Sequence, residues 1–189
     1  MMSSSPPLVL TLKLDQSIFD RFNELRQQHF PPTRNFIPAH ISLFHALPGE
    51  QESSIRQTVQ TLCSQTPTLP LEFPKPRFLG KGVAVEVQAP ELGRIHQRLA
   101  TQWSDWLTAQ DRQGYRPHIT LQNKVASDEA KQLYEQLTEE WEPLNGVGEG
   151  LLLWQYQGGP WALVEEFLFQ GTDLSSSNAS PVRPHSATS

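Results

Sequence analysis

Of the six histidines in this chain, only His40 and His118 are followed two places later by a hydroxyl residue, Ser42 and Thr120 respectively. In an extended strand residues i and i+2 project from one face, so each pair presents an imidazole beside a hydroxyl. Ile41 and Ile119 between them, with Leu43 and Leu121 beyond, then point into an apolar core and fix the strand register. Two opposed imidazoles suit phosphodiester chemistry, because one accepts a proton from the attacking oxygen while the other donates to the leaving oxygen, and neither step requires a metal. An unperturbed pKa of about 6.5 lets both protonation states of histidine exist near neutrality. The two hydroxyls can donate to nonbridging phosphate oxygens and stabilise the charge of a pentacovalent transition state without acting as nucleophiles.

The elements that must position these residues repeat. His40 and His118 lie 78 positions apart, as do Ser42 and Thr120. LVLTLKL at 8–14 alternates as a half-buried strand should, Asp15 suits an N-cap, and a helix is predicted over 16–30. A proline-rich loop then leads to a strand at 40–47, a helix at 51–65, and a hairpin of LPLEFPKPRFLG and KGVAVEVQA turning at Gly80, Lys81 and Gly82. The second half follows the same order: a helix at 91–108, a loop, a strand at 118–125, a helix opened by Ser127 and reaching about 141, and a hairpin turning at Gly158, Gly159 and Pro160. The expected fold is α+β, with two pseudo-symmetric ferredoxin-like lobes whose antiparallel sheets flank a central cleft. Residues 8–171 form the single bilobal domain. The segments 1–7 and 172–189 lack core periodicity and are expected to be disordered, which sets His185 aside.

The segments PAHISL at 38–43 and RPHITL at 116–121 resemble the paired motifs of the 2H phosphoesterases, which include the bacterial 2'-5' RNA ligase and cyclic nucleotide phosphodiesterase branch. The order of elements extends that resemblance over residues 8–171. It implies a bilobal, metal-free enzyme with no cofactor. The implied substrate is RNA ending in a 2',3'-cyclic phosphate, or a cyclic nucleotide, with 2'-5' ligation of RNA ends as a further activity. His40 and His118 are then the catalytic pair, with Ser42, Thr120 and Arg116 on the phosphate. The first motif departs from the family pattern: HISLFHAL lacks the usual aromatic-glycine ending and adds His45. At odd spacing from His40, His45 should point to the opposite face of a regular strand.

Further substrate contacts are sought in the loops before the motifs. Arg34 is a weaker cation candidate than Arg116, and Tyr115 and Phe36 are aromatic candidates for stacking on a base. Lys81 and Lys124 are candidates for distant phosphates. Trp154, Tyr156 and Trp161 are read as packing residues, as are Trp103 and Trp106. A formal net charge of -5 argues against coating nucleic acid by bulk electrostatics, and a single cysteine, Cys63, excludes an intramolecular disulfide or a cysteine-rich zinc site. With no basic leader and no long apolar run, a cytoplasmic monomer that spans no membrane is expected. Three competing readings stand beside the enzyme. One is an inactive ferredoxin-like protein, and another is a metal site on His40, His45 and His118, which lacks a carboxylate or thiolate ligand near either motif. The third is an RNA-end or nucleotide binding module with little turnover.

Overall fold

The computed structural model describes residues 4–173. The chain opens with β1 (Leu8–Leu14) and α1 (Gln16–His29), and Asp15 caps that helix by accepting from the Ile18 N–H at 3.0 Å. After a proline-rich loop come β2 (Ile41–Leu47), α2 (Glu52–Gln65) and three short strands, β3 (Leu69–Phe73), β4 (Pro76–Phe78) and β5 (Val83–Glu86). The second half brings α3 (Pro90–Gln102), β6 (His118–Gln122), α4 (Ser127–Glu140), β7 (Leu144–Tyr156) and β8 (Trp161–Leu168). Ile55, Val59 and Leu62 form the buried stripe of α2, at the spacing that the sequence displays.

Two antiparallel sheets result. The larger runs β2-β1-β7-β3 with β8 also on β7, and the smaller runs β4-β5-β6. The strand β7 is long enough to hold β1 along one edge and β3, then β8, along the other. The expected hairpin at 69–89 therefore divides. Its first run breaks at Pro74, so that β3 joins the larger sheet while β4 pairs with β5 in the smaller. The lobes are thus not the two sequence halves. In the larger sheet β7 of the second half pairs with β1 of the first, and in the smaller sheet β6 of the second half pairs with β5 of the first, on which β4 continues. The helices cross over as well, since α1 packs against β6, and α3 places His96 against Phe44 of β2. One contiguous apolar core follows, running from Leu8 and Phe22 through Phe44 and Trp103 to Leu121 and Leu153.

Three local differences from the sequence reading have physical causes. All of β1 except Lys13 is buried, Thr11 included, because Trp154 donates its indole N–H to the Thr11 hydroxyl at 2.9 Å and makes that polar side chain fit the interior. The predicted helix at 91–108 stops at Gln102, where Trp103 enters the core against Phe44, and residues 103–117 become a loop. Tertiary packing overrides the helical pattern there. Ser127 begins α4 without capping it, its hydroxyl donating instead to the Gly80 carbonyl at 3.0 Å. At the N-terminal side the Pro7 carbonyl accepts from Tyr156 N–H at 2.9 Å; residues 1–3 and 174–189, with His185, lie outside the described residues. Among the described residues no helix is long and apolar enough to cross a membrane.

One buried cation ties the halves together. Arg26 of α1 is 3% exposed and donates from Nη1 to the Thr120 carbonyl at 2.8 Å and from Nε to the Asn35 side-chain oxygen at 2.8 Å, while Phe30 lies under the guanidinium at 4.0 Å. Burial lowers its pKa to about 10, which leaves it charged at neutral pH. Neutral acceptors and a ring face offset the cost of burying that charge. Arg26→Ala leaves the Thr120 carbonyl without its donor, and urea unfolding should report a loss of about 2–3 kcal/mol. A loss below about 0.5 kcal/mol would show that the strand is held without it.

Candidate active site

The two motif strands are edge strands, β2 of the larger sheet and β6 of the smaller, and they abut. Ile41, Leu43, Ile119 and Leu121 are buried, which turns the alternate positions, Ser42 and Thr120, toward the space between the sheets. His40, Ser42, His118 and Thr120 line one cleft of about 400 Å3. Each strand then carries a β-bulge at the same place. On β2 the pairing passes from Thr11↔Ser42 to Leu10↔Phe44, and on β6 from Ala84↔Thr120 to Val83↔Gln122. The consecutive residues Leu43 and Phe44, and likewise Leu121 and Gln122, are accordingly both buried. The duplication thus extends to the irregularity that ends each motif.

Both imidazoles are anchored alike. His40 Nδ1 lies 2.8 Å from the Pro38 carbonyl and His118 Nδ1 lies 2.9 Å from the Arg116 carbonyl, two residues upstream in each case. A carbonyl only accepts, so each Nδ1 carries the proton and each Nε2 is left for a ligand. Arg77 Nη2 lies 3.2 Å from the same His118 Nδ1, but two donors cannot bond, and the carbonyl contact prevails. Burial lowers the pKa of His40 to about 4. The Pro38 carbonyl opposes that shift, and the positive charges of Arg26, His45 and His118 reinforce it. Burial likewise lowers His118; there the Arg116 carbonyl opposes, and Arg77 and His45 reinforce. Both rings are therefore neutral at pH 7 in the unliganded cleft. Among the described residues neither the Ser42 nor the Thr120 hydroxyl has a protein partner, so both can turn to a bound phosphate.

His45 is not where strand alternation puts it. β2 shifts register against β1 twice, at Leu43 and again between Phe44 and Leu47, and these irregularities leave His45 on the cleft face, where its side chain is 43% exposed. Its Nδ1 donates to Asp111 Oδ1 at 2.8 Å, and the same carboxylate accepts the backbone N–H groups of His45 and Ala46 at 3.0 to 3.1 Å. Burial would raise the Asp111 pKa, but these donors outweigh it and hold the carboxyl below its ordinary value. Behind this pair His96 is sandwiched between Phe44 and Tyr115, with ring centroids at 4.7 and 3.9 Å.

The remaining sequence candidates divide. Arg116 lines the cleft, and Arg77 joins it from β4; among the described residues neither forms an ion pair. Tyr115 also lines it, yet its ring stacks on His96 and its hydroxyl donates to the Ser42 carbonyl at 3.0 Å, so this aromatic braces the site. Arg34 borders a separate recess with Arg26, Lys124 and Trp161, and Lys81 lies in the β4–β5 turn. Phe36, 62% exposed, borders an apolar recess of about 270 Å3 shared with Trp154, Trp161 and His40. Trp161, read from sequence as packing, lies edge-on to His40 at 4.9 Å and joins that recess to the cleft. Sequence reasoning missed Arg77, His96 and Asp111. His96 alone left a signal, falling on the Leu92, Leu99 stripe of α3. Among the described residues no group of three histidine, cysteine or carboxylate side chains is arranged to hold a metal ion.

Solved structures of similar fold support the architecture. The protein TT0787 of Thermus thermophilus superposes with a TM-score of 0.65 at 16% identity, over 88% of this chain and 100% of that one. E. coli LigT complexed with 3'-AMP gives 0.61 at 17% identity, over 87% and 98%. A protein described as a phosphoesterase gives 0.59 at 16%, over 87% and 98%. No curated protein sequence matches the chain. The family model described as the 2'-5' RNA ligase superfamily matches residues 14–160, most of the chain and both histidine motifs, and the protein belongs to that superfamily.

Proposed function

We propose that this protein hydrolyses a cyclic phosphodiester, the 2',3'-cyclic phosphate of an RNA end or a nucleotide, without a metal, and that His40 and His118 are its acid–base pair. The observation that carries this reading is the matched tautomer: two imidazoles on one cleft, each with its Nδ1 proton given to the carbonyl two residues upstream. Water attacks the phosphorus as one Nε2 removes its proton, and the other ring protonates the departing ribose oxygen, so the P–O bond of the cyclic ester breaks as a new one forms. Ser42, Thr120, Arg116 and Arg77 stabilise the nonbridging oxygens. The deeper depression of His40 makes it the base, and His118 then enters the reaction protonated. Phe36, Trp154 and Trp161 supply an apolar wall for a base whose phosphate lies at His40. The same step with the 5'-hydroxyl of a second RNA end in place of water, the 3'-oxygen of the cyclic ester leaving, gives 2'-5' ligation with the same groups.

Turnover of a 2',3'-cyclic nucleotide should persist in excess EDTA. His40→Ala and His118→Ala should each lower kcat by roughly 10^2 to 10^4-fold with the fold intact by circular dichroism. Loss with chelator and recovery with zinc, or a near-normal rate in either variant, would sink the two-histidine reading.

The pH profile follows from the two shifts. A base must be neutral, so activity should survive down to about pH 4, the His40 value. An acid must be protonated, and His118 lies below 6.5, so kcat/KM should fall as pH rises past that point. The expected kcat/KM profile is a bell centred on the acid side of neutrality. An optimum above pH 8 would contradict this assignment.

A further inference from the structure

The reaction proposed above uses two imidazoles, yet four histidines line the cleft; His96 is stacked between Phe44 and Tyr115, which leaves His45. His45 has no counterpart by duplication: the equivalent position is Asn123, whose side chain accepts from the Lys124 N–H at 2.8 Å. A separate apparatus holds it. The two register shifts of β2 turn it to the cleft, and Asp111, whose side chain is 1% exposed, is delivered by the loop that replaces the end of the predicted helix. Among the described residues every hydrogen-bond donor to that carboxylate belongs to His45 or its neighbour Ala46: the Nδ1 proton and two consecutive backbone N–H groups. The imidazole is thereby fixed with Nε2 toward the cleft. An anion at Nε2 favours the doubly protonated ring, and Asp111 supplies its counter-charge on the other side.

The charge lining the cleft points the same way. Asp111 is its only acidic residue, and its oxygens are committed, while Arg77 and Arg116 have no ion-pair partner among the described residues. One phosphate at His40 and His118 engages both arginines in the proposed reaction and leaves His45 over. His45 is held against Asp111 and does not border the apolar recess beyond Trp161. We propose that His45, oriented by Asp111, forms a second anion subsite, so that the preferred ligand carries another phosphate group next to the phosphate that reacts. This rests on the reading of the cleft as a nucleotide phosphate site. A neighbouring internucleotide phosphate and a free 5'-phosphate share the chemistry. A site built to bond a second phosphate discriminates strongly against a ligand that lacks it, because its donors are then left unpaired.

The test is equilibrium binding, independent of turnover. Titration calorimetry compares adenosine 2'-monophosphate with adenosine 2',5'-bisphosphate on the full chain and on His45→Gln, which retains an amide donor for Asp111 and so protects the fold. The unaltered protein should bind the bisphosphate at least tenfold more tightly, and in His45→Gln the ratio of the two affinities should fall to near one. An unaltered protein without that preference, or a variant that keeps it, overturns the subsite. Asp111→Asn should lower the same ratio, and a ratio as high as in the unaltered protein would likewise count against it. Comparing the 5'-phosphorylated 2',3'-cyclic adenosine with a dinucleotide ending in the cyclic phosphate separates the two sources by which shows the larger kcat/KM loss in His45→Gln. If both cyclic substrates are inert while the bisphosphate preference depends on His45, the hydrolytic reading fails and the subsite stands.

Discussion

Two edge strands meet without pairing, and the site depends on how their free edges are satisfied. Neither β2 nor β6 hydrogen-bonds to the other across the junction between the sheets, although edge strands carry rows of unpaired backbone groups that invite such pairing. The Ser42 carbonyl is taken by the Tyr115 hydroxyl and the Thr120 carbonyl by the Arg26 guanidinium. Each bond crosses from one half of the chain to the motif strand of the other. The strands are thereby held side by side yet apart, and the gap between them is the cleft. A site on two braced strands keeps its imidazoles in fixed relation, as positioning of reacting groups requires.

The same crossed construction sets the electrostatics. With α1 under β6 and α3 under β2, both motifs sit on the interior of one continuous core, and the low polarity beneath them depresses His40 and His118 together. Burial is the first cause for both rings and is deeper at His40. Neighbouring charges add to it: Arg26, His45 and His118 act on His40, whereas Arg77 and His45 act on His118. In the proposed reaction the singly charged phosphodiester between them supplies the opposite charge and lets one ring hold a proton while the other does not.

Two register shifts in β2 have consequences out of proportion to their size. The bulge at Leu43 and Phe44 buries two consecutive side chains, and Phe44 becomes the platform for both His96 and Trp103. With the second shift, between Phe44 and Leu47, it leaves His45 on the cleft face. Trp103, drawn into the core by that platform, ends α3, and the freed loop places Asp111 behind His45. Strand irregularity, helix end and buried carboxylate form one arrangement.

Much of this was legible in the sequence, and for definite reasons. The paired His-x-Ser/Thr segments, their 78-residue interval and the apolar residues between them follow from strand periodicity, which is local; so do the N-cap at Asp15 and the stripe of α2. The family followed from the same two segments. What periodicity cannot express is a change of period. A bulge shifts parity by one residue and has no composition of its own, so His45 was assigned to the wrong face. Nor does sequence show which strands exchange partners, and the meeting of Arg26 with Thr120, of Asp111 with His45 and of Trp161 with His40 joins residues 66 to 121 positions apart. The sequence by itself determined the chemistry on offer and the two strands that carry it. Only the tertiary structure decided which charges surround that chemistry, because burial and Coulomb interactions depend on distance in space rather than along the chain.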